Sequence, residues 1–363
     1  MDVEAIKGEI EQTLASKVSQ DSKLHNIYIL VHSDARHIHW PMAAGSTDEL
    51  LANPHQPFHT ASVGKTFTSV ILAMLIEKGL AAYNDPIAKY LPSDLLEGLH
   101  VYKGEDYSHE IQLQHLLSNT SGLPDFFEDK PKRHRPFLEE VLEEPARFWT
   151  PEETIEWSKQ HLQPRFPPGK GFHYTDTGYN LLGLIIESIT AKRYAEVLHE
   201  TIFTPLNMNH SYLAHYSEPA VPSEHPVASL HLDELHIKLN DYRSFSSFYA
   251  SGQTVSTTED LLLFMKALTK QQLLKDDSLR KMQDWKKMRV GMKYGYGLMQ
   301  LQFLPFTRKY TAWGHLGVSG AFMLVVPALD LYLTGSFNQT AYRSKGINLL
   351  FFNVIRKLAA VLS

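Results

Sequence analysis

Apolar residues recur along this chain with two different periods. Near the N-terminus, Val3, Ile6, Ile10 and Leu14 punctuate the otherwise polar MDVEAIKGEIEQTLASKVSQ at helical spacing, which predicts an amphipathic helix. The next stretch, HNIYILVHSDARHIHW, has β-branched and aromatic residues on both sides of a Ser-Asp turn and predicts two strands. SVGKTFTSVILAMLIEKG then reads as a helix that stops at Gly79, where a C-cap glycine is expected. From about 86 to 249 the texture changes to proline-interrupted, charge-rich helical pieces such as PFLEEVLEEPARF and TPEETIEWSKQHL. Regularity returns with STTEDLLLFMKAL, a helix capped by Thr257 or Thr258. RKYTAWGHL, SGAFMLVV and LDLYLTGSF predict a meander of three strands, and GINLLFFNVIRKLAAVL a closing amphipathic helix.

Both termini thus feed one α/β (α+β) unit, residues 1–85 with 250–363, in which a sheet is flanked by N- and C-terminal helices. Residues 86–249 read as a mainly helical domain inserted into it. A chain of 363 residues, 43% hydrophobic and 21% charged, is long enough to bury the core this requires. The balance of 40 acidic against 35 basic residues gives a net charge of -5, which argues against nucleic acid as a partner. No cysteine is present, so disulfides, zinc-thiolate sites and a thiol nucleophile are excluded. The apolar runs, such as Val70 to Ile76, are far short of the roughly 18 residues that cross a bilayer. With no signal-peptide pattern at the start, a soluble, cytoplasmic protein is expected.

The chemistry turns on HTASVGKTF, residues 59–67. Gly64-Lys65-Thr66 resembles the end of a phosphate-binding P-loop, but that motif needs a glycine where this chain has His59, and 59–63 contain none. The same residues also read as S-x-x-K. On a helix, i and i+3 share a face, so Lys65 comes within reach of the Ser62 hydroxyl. A serine hydroxyl is a weak nucleophile until an adjacent base takes its proton, and a helix N-terminus suits an oxyanion.

Two later stretches extend the pattern: Tyr174-Thr175-Asp176 in FPPGKGFHYTDTGYNLLGLIIESIT and His315-Leu316-Gly317 in TAWGHLGVSGAF. Here the chain resembles the serine β-lactamase-like family, which embraces class C β-lactamases, D-Ala-D-Ala carboxypeptidases, D-aminopeptidases and related carboxylesterases. The family order is S-x-x-K, then Y-x-N, then K-T-G or H-x-G. LLSNTSGLPDF (116–126), PPGKGFHYTDTGYNLLGLIIE (167–187), SGQTVSTTEDLLLFMKAL (251–268) and YGYGLMQL (294–301) are also similar to family stretches, so the likeness runs from about 25 to 360.

The resemblance implies a β-lactamase/transpeptidase-like fold and an acyl-enzyme on Ser62, with Lys65 as its proton partner and Tyr174 as second acid/base. It implies an oxyanion hole from the backbone N–H groups of Ser62 and Val318, and His315 beside Tyr174 lining the substrate pocket. Asp176, Gly317 and Asn119 would contact substrate. No cofactor is implied; the partner is a small ester, amide or short peptide.

Two departures bear on substrate. Asp176 replaces the Asn of Y-x-N, and a carboxylate only accepts hydrogen bonds. Its charge favours a protonated Lys65, which is expected to lower the Tyr174 pKa and make Tyr174 the operative base. His315 stands where penicillin-recognising members carry a permanent cation, and a histidine is mostly neutral at pH 7. Both departures, with the expected location, favour a carboxylesterase on small esters and then amides. The alternatives are a D-amino-acid peptidase or penicillin-binding carboxypeptidase with weak β-lactamase activity, and a binding protein that keeps the fold without turnover.

Other residues carry less. His37-Ile38-His39, alternating on a strand, and His231-Leu232-Asp233-Glu234-Leu235-His236 invite a metal, but the first shows no third ligand and the second lacks the H-E-x-x-H order. No metal is therefore expected. KPKRHR (130–135), flanked by acids and proline, reads as a solvated loop with local ion pairs. No G-x-S-x-G elbow occurs, which disfavours an α/β-hydrolase. Phe126, Phe127, Phe137, Phe148, Trp149, Trp157, Tyr242, Phe245 and Phe248 either wall an acyl pocket or fill a core, and core is the default for most.

Overall fold

A computed structural model describes residues 3–304 and 307–361. Met1 and Asp2 of the predicted first helix, and Leu362 of the last, lie outside the described residues. The chain opens with α1 (Val3–Gln20), β1 (Asn26–Ser33), β2 (Ile38–Thr47) and a two-residue β3 (Leu50–Leu51). A short β4 (Phe58–His59) leads through a 3-10 turn (Ala61–Val63) into α2 (Gly64–Glu77). The middle of the chain holds α3 (Pro151–His161), α4 (Asp176–Thr190), β5 (Tyr212–Leu213) and the hairpin β6 (Leu230–Leu232) with β7 (Leu235–Ile237). Then come β8 (Thr254–Ser256), α5 (Thr258–Thr269), β9 (Lys286–Arg289), β10 (Met292–Tyr294) and β11 (Met299–Gln302). The meander β12 (Thr311–Leu316), β13 (Phe322–Val326) and β14 (Leu331–Ser336) precedes α6 (Tyr342–Leu349), which continues through a π-helical turn to Val361.

The main sheet is antiparallel in the order β9-β10-β11-β12-β13-β14-β1-β2-β3, so the first and last thirds of the chain meet where β1 pairs with β14. Both faces of this sheet are covered, which explains why β1 reads as a nearly continuous apolar run. Ile27, Ile29 and Val31 pack into a core with Ile6, Ile10 and Leu14 of α1 and Val354 and Leu358 near the C-terminus. Tyr28 and Leu30, on the opposite face, join a second core with Phe67, Val70 and Ile71 of α2 and with Leu181 and Ile185 of α4. This second core runs without a break from the sheet into the helical middle of the chain.

The predicted caps at Thr257 and Gly79 are realised, and the structure adds one on α3. Thr257 accepts from the Asp260 N–H at the start of α5, and Thr150 with Glu153 forms a capping box on α3. Gly79, just past α2, has φ +73, the left-handed conformation that favours glycine. The expectation that His37 and His39 share a strand face is corrected: β2 begins at Ile38, and His37 is a turn residue with φ +53. His39 meets His32 and Glu259 instead. His231 stacks between His25 and His236, at ring-centroid distances of 4.0 and 5.0 Å. Among the described residues no three or more His, Cys, Asp or Glu gather as a metal site. In the basic loop, Arg135 pairs with Glu140 and Glu143, as expected. No helix among the described residues is long and apolar enough to cross a membrane.

Candidate active site

Ser62 does not open α2 as an N-cap. It occupies the 3-10 turn before it, with no capping bond from Thr60 or Val63. Its predecessor Ala61 has φ +47, a left-handed conformation costing an alanine about 1–3 kcal/mol, of the kind that concentrates at functional sites. Two glycines fit the strained turn to its surroundings. A Cβ on Gly317 would come within 2.8 Å of Thr60 O and 2.9 Å of Ala61 Cβ, and one on Gly297 would overlap Ser69 of α2. The end of β12 and the β10–β11 turn therefore press directly on the segment that carries Ser62 and Lys65.

Lys65 is fully buried, and its ammonium meets three acceptors: Ser62 Oγ at 3.1 Å, Ser251 O at 2.6 Å and the Asp176 carboxylate. A lysine has three N–H donors, and here each has a partner. Asp176, 5% exposed, is the first residue of α4. Its N–H donates to Oδ1 of the equally buried Asp125, which also accepts from the N–H groups of Phe127 and Glu128. Burial, and then the charge of Asp176, hold the Asp125 carboxyl well above the usual range.

Tyr174 places its ring centroid 4.9 Å from Lys65 Nζ, and its hydroxyl is buried beside Ser62. Burial and, second, the Asp176 charge push the phenol well above its ordinary 10.0, while hydrogen bonding with Ser62 acts the other way. The expected lowering of Tyr174 by Lys65 is thus corrected: desolvation outweighs it. The chain around Tyr174 is held by Asn119, whose O accepts from the His173 N–H (2.9 Å) and whose Oδ1 accepts from the Thr175 N–H (3.1 Å). Asn119 is fully buried and is not among the residues lining the cleft, and these two bonds let it position the segment that carries Tyr174.

His315 also lies behind the cleft. It is fully buried, 6.5 Å from Tyr174 ring to ring, and does not line the pocket as expected. Its Nδ1 lies 2.9 Å from Leu316 O, which makes Nδ1 the donor and leaves Nε2 to meet the Tyr294 hydroxyl at 3.3 Å. Tyr294 in turn meets Tyr179, which donates to Leu117 O. Burial, then the Lys65 charge, lower the imidazole pKa to about 3, so it is neutral at any ordinary pH.

Ser62, Tyr174, Asp176, Gly317 and Val318 come together on one cleft enclosing about 930 Å³, mouth included. Its walls are largely apolar: Phe127, Phe245 and Phe248 from the helical region, and Met292, Met299 and Leu316 from the sheet. Phe126, Phe137, Trp149 and Trp157 belong instead to a core beneath it. Polar groups enter the cleft at His59, at Arg289 and at the Glu128–Arg343 ion pair. The N–H groups of Ser62 and Val318 are used in no turn or strand hydrogen bond among the described residues. Sequence reasoning missed Ser251, Asp125, Tyr294 and His59. The first three fall within or beside stretches already noted as family-like, but Ser251 acts through its backbone carbonyl, which no side-chain pattern reveals.

The fold and this cluster define a serine β-lactamase-like architecture, with a serine turn between a sheet and a helical region. The family model described as Beta-lactamase matches residues 16–348, and the chain belongs to that family. Among curated relatives, Penicillin-binding protein 4* of Bacillus subtilis (strain 168) is 28% identical over 225 residues, 58% of this chain and 44% of the relative. Protein flp of Staphylococcus aureus is 27% identical over 160 residues, 44% of this chain and 28% of the relative. The chain thus spans less than half the length of these relatives. Solved structures match over nearly the whole chain. A D-stereospecific amidohydrolase from Streptomyces sp. has a TM-score of 0.78 at 23% identity, covering 95% of this chain and 98% of that one. The D-amino acid amidase of Ochrobactrum anthropi SV3 complexed with D-phenylalanine has a TM-score of 0.77 at 21% identity, covering 97% and 99%. At these identities the likeness establishes the fold.

Proposed function

We propose that the protein is a serine hydrolase that cleaves small neutral carboxylic esters and, more slowly, amides through an acyl-enzyme on Ser62. The observation that carries this is Lys65, fully buried and bonded at once to Ser62 Oγ, Asp176 and Ser251 O at the base of the cleft. Ser62 Oγ attacks the carbonyl carbon while its proton moves to Lys65 and Lys65 passes one to Asp176. An aspartate can store that proton, which the family's asparagine cannot. The Tyr174 phenol, kept protonated by burial, protonates the departing oxygen or nitrogen and regains its proton from the Lys65–Asp176 pair. Water then reverses the sequence, releasing the acid and restoring the Ser62 hydroxyl. The N–H groups of Ser62 and Val318 would hold the oxyanion, each worth roughly 3 kcal/mol in comparable sites.

The preference for neutral substrates rests on the apolar cleft walls and on His315, which is neutral and outside the cleft. A second reading, hydrolysis of D-amino-acid amides or short D-peptides, is favoured by the two amide-hydrolysing structural relatives and by Glu128 at the cleft, a carboxylate suited to a substrate ammonium. Rates on p-nitrophenyl butyrate, D-phenylalanine amide and a chromogenic cephalosporin, with the Ser62→Ala variant as control, separate the readings. Ser62-dependent turnover fastest on the ester supports the first; turnover of the amide alone replaces it with the second.

A further inference from the structure

Charge is spread unevenly along this chain. Residues 285–363 hold ten Lys and Arg against a single acid, Asp330, so this stretch carries +9 while residues 1–284 carry -14. Part of the excess is neutralised by acids from earlier in the chain: Lys286 pairs with Asp284, Arg343 with Glu128, Lys345 with Asp21 and Lys357 with Glu9. Asp330 is engaged elsewhere, accepting from the Ser33 hydroxyl and the Ala35 N–H. Lys287, Lys293, Arg308 and Arg356 are exposed and make no ion pair among the described residues.

The fold gathers these four at one end of the main sheet. Lys287 of β9 stands directly opposite Lys293 of β10, a juxtaposition of like charges that weakens a strand pair. Gln302 N donates to Gly291 O at 2.9 Å and Thr311 N to Arg308 O at 3.0 Å, which sets Leu304 and Arg308 beside the β9–β10 turn. The last helical segment packs against the same place: Phe303 stacks on Phe351 with ring centroids 4.7 Å apart, and Lys309 Nζ donates to Ala359 O at 3.4 Å. That packing brings Phe352 and Arg356 alongside. Large apolar side chains stand exposed among the cations: Val290 at the tip of the turn is 94% exposed, Phe352 51% and Leu304 38%.

Lysines on an edge strand guard it against strand addition, which accounts for Lys286 and Lys287. Guarding does not account for Lys293, one strand further in, or for Arg308 and Arg356, which lie off the edge. Cations alone would fit any polyanion. Cations interleaved with exposed apolar side chains fit a surface that is anionic outside and apolar just beneath, as an acidic bilayer is. Headgroup phosphates take the Lys and Arg, and Val290, Leu304 and Phe352 enter the headgroup boundary. The rest of the chain, at -14, is repelled by such a surface, so the charge asymmetry also sets the orientation of approach.

We propose that this end of the sheet docks the protein on membranes carrying anionic phospholipid. The β9–β10 hairpin also supplies Met288, Arg289 and Met292 to the cleft wall, so docking holds the cleft near the bilayer. Docking by this surface is independent of the chemistry at Ser62.

Sedimentation with vesicles is the test. Wild type is measured on phosphatidylcholine alone and on a roughly 3:1 mixture with phosphatidylglycerol, at about 0.1 M and about 0.5 M NaCl. Binding to the mixed vesicles only, weakened by salt, is expected. Each cation at such a surface contributes about fivefold in partitioning, so the double variant Lys287→Gln with Lys293→Gln should partition about 25-fold less. Val290→Asp should lower partitioning about tenfold or more, by removing an inserted apolar group and adding a repelled charge. Both variants should keep the wild-type circular dichroism spectrum, and Ser62→Ala should bind as wild type does. Absence of wild-type binding to the mixed vesicles, equal binding to phosphatidylcholine alone, or unmoved partitioning in both variants would overturn the docking surface. Mixed-vesicle binding that Val290→Asp leaves unchanged, with equally salt-sensitive binding of heparin, would replace the bilayer with a soluble polyanion.

Discussion

Asp176→Asn isolates the role of the carboxylate against Lys65. The substitution keeps the shape and one acceptor oxygen but removes the charge, and the remaining partners of the ammonium, Ser62 Oγ and Ser251 O, are neutral. Lys65 is 0% and the Asp176 side chain 7% exposed, so water cannot make good the loss. Breaking a buried pair by removing one charge destabilises by about 3–5 kcal/mol. For 363 residues at about 2.1 cal/mol/K each, the unfolding entropy is roughly 0.76 kcal/mol/K, which converts that loss to a Tm decrease of about 4–7 °C. The asparagine also cannot store the Ser62 proton, and loss of such a transfer slows acylation by about 10²-fold or more. Calorimetry gives the first quantity, and the rate of Ser62 labelling by a fluorophosphonate across pH 5–9 gives the second. A variant with unchanged Tm, whose labelling rate and pH profile match wild type within about threefold, would refute the proton-storage role and leave Asp176 a spectator.

Other outcomes follow from the same geometry. Tyr174→Phe removes a buried hydroxyl whose one neighbour of consequence is Ser62, so stability by denaturant titration should change by less than about 1.5 kcal/mol while kcat falls about 10²–10⁴-fold. Gly317→Ala places a methyl 2.8 Å from Thr60 O, displacing the Ser62 turn, and should lower kcat/KM about 10²-fold with the circular dichroism spectrum retained. Acid should destabilise the fold in a defined window. His59 and His315 stay neutral to about 4 and about 3, whereas unfolded imidazoles bind protons below about 6.5, so the unfolded state takes up more protons and stability falls with falling pH. Each such group adds up to about 1.4 kcal/mol per pH unit between about pH 6 and 4, measurable by urea titration, and His59→Gln should lower the slope by that one share.

How far each feature could be read from the chain depends on whether its cause is local. The run NIYILV, the α2 helix and the final meander are local patterns whose burial on both faces of a sheet the apolar residues already announce. β9 to β11 are short, lysine-bearing or glycine-bounded, and acquire strand structure only by extending the sheet edge, so periodicity does not mark them. The spacing of Ser62 and Lys65 is likewise local, and the structure brings them together. The pKa of Tyr174, the withdrawal of His315 from the cleft and the positioning role of Asn119 depend on burial set by distant segments. Composition near each residue says nothing about these. Asp176 was noted as a departure from the family pattern, but that its charge meets Lys65 rather than substrate emerges only from the placement of α4 against α2.

The central claim is that Ser62 becomes acylated because Lys65 and its partners activate it. Intact-protein mass spectrometry after brief exposure to a fluorophosphonate, followed by peptide mapping, tests it most directly. The account predicts a single adduct per chain on the peptide containing Ser62, absent in Ser62→Ala and strongly slowed in Lys65→Ala. No adduct, an adduct on another serine, or equal labelling of the Lys65→Ala variant would contradict it.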